Sequence, residues 1–218
     1  MYYDTAKNDH GLRHNPLKAL VAPRPIGWIS TLDENGAANL APYSFFNLVS
    51  DRPPCVMFAG GGPKDSWRNA IATKEFVCSL ATWDLRYEMN ASSAEVAPEV
   101  DEFTIARVTP APSRFVKPPR VKESPVALEC RLVQSVKLPT DKATGKVHTL
   151  VIGEVVGVFI DDAFVKDGLV DTGALQPIAR LGYRDYSVLG SEQVFTLQLP
   201  ELDANGRVVG PWGESGET

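Results

Sequence analysis

Apolar and polar residues alternate with a period of two over much of this chain and follow helical spacing over little of it. Between Val126 and Leu138 the even positions Val126, Leu128, Cys130, Leu132, Val136 and Leu138 are apolar, while the odd ones include Glu129, Arg131, Ser135 and Lys137. That pattern predicts a strand with one buried face. His148 to Ile160 is apolar on both faces and predicts a central strand covered on both sides. Ile26 to Leu32 and Ala37 to Asn47, the second broken near Pro42, form a hairpin through Asp33-Glu34-Asn35-Gly36, because Asn-Gly takes positive φ at low cost. Pro54 to Ala59 and Phe76 to Ala81 add two strands. Helical spacing covers Asp65 to Thr73, with Trp67, Ala70 and Ile71 on the buried face, and Leu85 to Val96. Pro98 to Phe103 is acidic and opens a short helical turn. Residues 104–125, rich in Pro, Lys and Arg, lack periodicity and predict an extended surface loop.

Many strands joined by short turns, with helices as insertions, predict a mainly β fold: an antiparallel barrel with peripheral helices. The 17 Gly and 17 Pro are spread along the 218 residues and mark no linker, so a single domain spanning 1–218 is expected. The tail, residues 201–218, is rich in Gly and acidic residues and is expected to be loosely ordered unless Trp212 docks on a partner subunit.

Composition narrows the function. The net charge of −5 argues against a nucleic-acid binder, which needs a basic footprint, but a local cluster of donors can still hold a small anion. Cys55, Cys78 and Cys130 form no CxxC pair and read as reduced core residues of a cytoplasmic protein. No apolar run approaches the roughly 20 residues of a membrane helix, and Met1 to Leu20 shows no signal-peptide pattern. No GxGxxG follows the first strand and no GxSxG occurs, so Rossmann and serine-hydrolase chemistry lack support.

Two stretches could carry chemistry. Ala59-Gly60-Gly61-Gly62-Pro63-Lys64-Asp65-Ser66 lies between a strand and a helix. Glycines allow close backbone approach, a helix N-terminus presents unpaired N–H groups, and Lys64 adds charge, a combination that suits phosphate. A plain turn with Asp65 or Ser66 as N-cap is the other reading. Pro23 to Thr31, paired with Asn39 to Asn47, mixes hydroxyls, an Asn and bulky apolar side chains, as a flat heteroaromatic ring requires; a hairpin whose aromatics fill the core has the same composition. His10 and His14 have a spacing that could ligate a metal on a helix, or belong to a surface segment. His148 faces the site or is structural. Glu154, in the most apolar strand, predicts either a buried carboxylate paired with Arg180 or a neighbouring Arg, or a rim position exposed to water.

The runs "APRPIGWIST…NGAANLAPYSFFN" and "GGGPKDSWRNA" resemble the flavin reductase-like, FMN-binding split-barrel family, which includes flavoredoxin-like proteins. So do "HTLVIGEVVGVFID" and "IARLGYRDYSVL", and the likeness covers about residues 10–190. The resemblance implies a Greek-key split β-barrel and a homodimer with FMN near the subunit interface. It places Ile29, Ser30 and Thr31 at the ring and Asn39, Ala41, Pro42 and Tyr43 along its other edge. Ser44, Lys64, Asp65 and Ser66 fall at the ribityl-phosphate end, with Arg24 helping to neutralise the phosphate and Arg180 and Tyr183 completing the site. Tyr183 stands where the family often has a second Gly. The implied activity is an NAD(P)H:flavin reductase, with NAD(P)H a transient reductant and a partner monooxygenase as a possible recipient of the reduced flavin. The rivals are an FMN electron carrier reduced by a partner protein and a non-enzymatic ligand-binding barrel.

Overall fold

The computed structural model describes residues 1–97, 100–197 and 199–209. Its main sheet has seven strands: β1 (Gly27–Leu32), β2 (Ala38–Tyr43), β3 (Phe46–Asp51), β4 (Pro54–Gly61), β5 (Glu75–Leu80), β6 (Val126–Lys137) and β7 (His148–Ile160). They run in the order β2-β1-β5-β6-β7-β4-β3, each pair antiparallel. Helices α1 (Asp65–Thr73), α2 (Arg86–Ala91) and α3 (Glu102–Ala106) lie at the periphery. A small ladder joins Arg24–Pro25, Ile178–Arg180 and Tyr186–Val188. The expected mainly β, antiparallel architecture with peripheral helices is therefore present.

The β1–β2 turn forms because Asp33 accepts from the amides of Asn35 (2.9 Å) and Ala37 (2.7 Å) while Gly36 takes φ 88°. The break expected near Pro42 falls instead at Ser44 and Phe45. Pro42 stays inside β2, which tolerates a missing N–H because β2 is an edge strand. Phe46–Asp51 then becomes a strand of its own against β4.

Two expectations about burial need correction. The odd face of β6 is not uniformly polar and exposed: Ala127 and Glu129 are buried. The 104–125 segment crosses them, with Val116 packed against Val77 and Ala127. The Glu129 carboxylate accepts from the amides of Arg114 (2.9 Å) and Phe115 (2.6 Å). A carboxylate inside the sheet thus satisfies loop amides that would otherwise be orphaned. Nor is β7 covered on both sides: Thr149, Val151 and Gly153 are buried, but Glu154 and Val158 are exposed. Glu154 therefore sits in water and needs no buried arginine; the rim reading holds.

α1 spans the expected residues, but its buried face is Ser66, Asn69 and Ala70, with Trp67 and Ile71 only half-buried. Of the Leu85 to Val96 stretch only Arg86–Ala91 is helical. The turn expected from Pro98 begins at Asp101, which caps α3 by accepting from Phe103 N (2.9 Å); residues 98 and 99 lie outside the described residues. In the tail, Glu201–Leu202 and Val208–Val209 pair as a short hairpin, and Trp212 lies outside the described residues.

The core has two main parts. Ile29, Val56, Phe58, Phe76, Cys78, Cys130 and Val151 fill the barrel, and Trp28, Leu40, Met89, Phe103, Val121 and Ile178 pack beneath α2 and α3. All three cysteines are free and buried. Gly153 marks a tight point, because an added Cβ would fall inside the Phe76 ring. Gly153→Ala is expected to cost about 1–3 kcal/mol by overpacking. Urea unfolding checks this; an unchanged midpoint would show that the ring has free space to move.

Candidate functional site

A cavity of about 440 Å³ opens where β2, the glycine turn and the start of α1 meet. Asn39, Ala41, Pro42 and Tyr43 form one wall, and Gly61 to Ser66 form the second. The turn after α2, Ser92 to Val96, closes a third side, with Glu102 and Lys146 at the edge. This size is within the range of small-molecule sites.

The glycine turn is shaped by its neighbours. A Cβ at Gly60 would come within 2.8 Å of the Tyr43 ring, and one at Gly61 within 2.8 Å of His148 Nε2. Gly62 takes φ 71°, and its carbonyl accepts from Trp67 Nε1 at 2.9 Å. Lys64, and neither Asp65 nor Ser66, occupies the N-cap position of α1, and no side chain caps the helix. The start of α1, Lys64 to Ser66, thus lines the cavity with no side-chain cap on its N-terminus. The Lys64 ammonium lies 3.0 Å from Glu95, and this contact holds the Glu95 carboxyl below its usual range. Asp65 pairs with Arg68.

Behind the wall runs a polar network. Ser66 Oγ donates to Asn39 Oδ1 (2.7 Å), Asn39 Nδ2 donates to Glu102 Oε1 (2.9 Å), and Leu40 N donates to Glu102 Oε2 (3.2 Å). These bonds lock α1, β2 and α3 together around the cavity. Burial pushes the Tyr43 phenol up to about 12, against a hydrogen bond with Ser66 and helped by the charges of Asp65 and Glu102. Tyr43 is therefore neutral near pH 7 and can donate. Burial also raises the Glu102 carboxyl, opposed by its bonds from Leu40 and Asn39. A carboxyl raised by folding favours the neutral form, so its contribution falls as pH rises from the usual carboxylate range through the raised value. Glu102→Gln removes that titration. The stability of wild type relative to the variant is expected to decline as pH rises above about 4.5. Thermal unfolding across that rise checks the sign, and a constant difference would count against it.

The structure brings seven of the anticipated residues to this cavity: Asn39, Ala41, Pro42, Tyr43, Lys64, Asp65 and Ser66. Ser44 sits just past it, at the bend that ends β2. Ile29, Ser30 and Thr31 lie behind the wall and are fully buried. The Ser30 hydroxyl donates to Pro119 O, and Thr31 Oγ1 accepts from Asn69 Nδ2 at 3.3 Å. Gly27 to Ser30 also pair with strands on both sides, so their backbone groups are taken. Arg24, Arg180 and Tyr183 belong to the small ladder and its turn. The buried Arg24 guanidinium donates to the carbonyls of Lys18, Val21 and Leu181, tying the N-terminal segment to that ladder. Arg180 donates to Tyr186 Oη (2.5 Å) and Tyr183 O (2.7 Å). Tyr183 takes φ 54°, a left-handed conformation that favours glycine.

His148 packs its ring 6.0 Å from Phe45 and against Gly61, beside the turn. His10 and His14 take separate roles. His10 Nδ1 accepts from Leu12 N, and His14 stacks 5.7 Å from Tyr183. Glu102, Lys146 and Ser92 to Glu95 were not anticipated. They come from segments remote in sequence, and only the acidic turn expected over Pro98 to Phe103 pointed to order near Glu102.

Fold and cavity together define a split-barrel protein with a polar cavity at a strand-to-helix turn. The chain belongs to the flavin reductase like domain family, which matches residues 20–178. An uncharacterised protein of Aquifex aeolicus is 35% identical over 192 residues, covering 85% of this chain and 94% of that protein. Nitrilotriacetate monooxygenase component B from Bacillus cereus superposes with a TM-score of 0.81 at 28% identity, over 90% of this chain and 98% of its own. The 2-nitrobenzoate 2-nitroreductase NbaA of Pseudomonas fluorescens shares the fold, with a TM-score of 0.79 at 23% identity over 94% and 100%. Membership places the chain among flavin-related oxidoreductases. Among the described residues no helix is long and apolar enough to cross a membrane.

Proposed function

We propose that this protein binds FMN in the cavity between β2 and the start of α1 and acts as an NAD(P)H:flavin reductase. The observation that carries the reading is the uncapped α1 N-terminus beside Gly61, Gly62 and Lys64, an anion cradle inside a flavin reductase like domain. The residues fit the group. Gly62 takes φ 71° with nothing within 4 Å of where a Cβ would stand, so the turn is open on that side, and Lys64 and Lys146 supply cations. Lys64, Ser66 and the first amides of α1 would hold the phosphate end. Asn39, Ala41, Pro42 and neutral Tyr43 would flank the ribityl chain and ring edge. Bound FMN supplies the hydride acceptor; the protein's part is orientation and exclusion of water, and no acid or base is required of it. The Asn39–Glu102–Ser66 network keeps the cradle preorganised.

The reading extends to a cytoplasmic homodimer. Leu48 and Val49 on β3, Val133 on β6 and Val158 on β7 are large exposed apolar residues that a second copy would cover. The reduced flavin would pass to a partner monooxygenase; the Bacillus cereus relative's name supports such a pairing. The test is a visible spectrum of the purified protein followed by anaerobic titration with NADH and NADPH. A flavin band bleached by either nucleotide is expected. A flavin band bleached by neither would overturn the reductase claim and favour an electron carrier. A colourless protein that does not bind added FMN would overturn the binding claim.

A further inference from the structure

Outside the proposed flavin site, an apolar groove of about 460 Å³ lies between α2 and the Tyr186–Val188 strand. Trp83, Tyr87, Ile178, Tyr186 and Val188 line it, and Arg86 stacks 3.9 Å from the Trp83 ring and 4.4 Å from Tyr87, stiffening one wall. No carboxylate lines it among the described residues. Its other wall is the outer strand of the small ladder, paired on one side only among the described residues. An unpaired strand edge beside apolar pockets suits an extended chain with apolar side chains at alternate positions.

The protein carries such a chain. Val194, Phe195, Leu197 and Leu199 are 53%, 78%, 74% and 87% exposed, and Phe195, Leu197 and Leu199 alternate in period two. Four large apolar side chains in water on one short segment need a cover. Among the described residues, none of this segment lines its own groove. The Ser191–Gln193 turn before it is wedged against Gly173, where a Cβ would fall 2.6 Å from Ser191 Cα, and is closed by Gly190 N donating to Gln193 Oε1 at 2.9 Å. Among the described residues, the arm leaves from that fixed point without pairing to Tyr186–Val188.

We propose that the arm starting at Val194, through Phe195 and Leu197, docks in the Trp83–Val188 groove of a second copy of this chain, adding a strand to the partner's small ladder, while the partner's arm does the same in return. Each copy holds both halves of the contact, so a two-fold exchange satisfies both arms and both grooves. The proposal rests on the homodimer in the functional reading but not on flavin binding. It also gives α2, whose following turn walls the flavin cavity, a brace from the partner subunit.

The test uses cysteine trapping, which is clean because the three native cysteines are buried. Full-length chains carrying Leu197→Cys and Ser187→Cys, each with its own tag, are co-expressed and mildly oxidised. A covalent species containing both tags is expected. Its yield should drop about tenfold when Phe195→Asp is added to the Leu197→Cys chain, since a charge cannot enter the groove. Position 195 is exposed in the protomer, so that substitution leaves the fold intact. A dimer in sedimentation that forms no mixed species would overturn the arm exchange alone. So would a doubly substituted chain, Ser187→Cys with Leu197→Cys, that closes only on itself. Flavin absorbance of the same samples reports separately on the flavin reading.

Discussion

Trp28→Ala is expected to lower the unfolding free energy by about 3–5 kcal/mol and to weaken flavin binding although Trp28 does not line the cavity. The side chain is fully buried on β1 and packs with Leu40, Met89, Phe103 and Ile178, where β2, α2, α3 and the small ladder converge. Removing it leaves a hole that four elements cannot close together. Its indole Nε1 also donates to Ser92 Oγ at 2.8 Å, and Ser92 Oγ donates to Met89 O at 2.8 Å. That pair holds the turn after α2, which walls the cavity. Trp28→Phe separates the two effects. It keeps most of the apolar volume, loses the N–H, and should cost about 1–3 kcal/mol with a clear loss of flavin affinity. Urea unfolding and flavin titration of both variants check this. Normal flavin affinity in Trp28→Phe would mean that Ser92 is positioned by other contacts.

Lys64→Glu should weaken FMN binding by about 10- to 100-fold, the range for losing a hydrogen bond to a charged group. The side chain is half-exposed and already contacts Glu95, so its replacement disturbs no core packing. The variant places a second carboxylate beside Glu95 at the mouth of the proposed phosphate cradle. Part of the loss should therefore be recovered by Glu95→Gln and part screened by salt, as expected for charges near the surface. Riboflavin lacks the phosphate and should bind wild type and variant about equally. A variant that loses riboflavin as well would place Lys64 at the ring and not at the phosphate.

The glycine turn, the hairpin and α1 were legible because each is a local event. Asn35-Gly36, Gly60-Gly61-Gly62 and the Trp67–Ala70–Ile71 spacing act within a few residues. The wall of the cavity made by Ala41 to Tyr43 was legible by resemblance. Glu129 was misread because alternation describes one strand, whereas its burial depends on the 104–125 segment folding across it. β7 was misread in the other direction: a two-sided apolar pattern indicates cover without saying which chain supplies it. The arginines were legible as cations but not as to purpose. Arg24 binds three carbonyls of its own chain, which no pattern around it reveals.

The antiparallel class, six of the seven main strands, the glycine turn and the kinship were thus legible in the sequence alone, since they depend on backbone preference and side-chain period over short distances, whereas the separate Phe46–Asp51 strand was not. Only the tertiary structure decided which of the anticipated residues share a cavity. It put Ser30, Thr31 and Ile29 behind the wall, drew Arg24 and Arg180 into a separate ladder, and brought Glu102 from 62 residues away to the amide of Leu40. The physical reason is that a polar group's role is set by its partner. In this fold the partners of Ser66, Asn39 and Trp28 come from distant segments, and packing of the whole chain brings them within hydrogen-bond range.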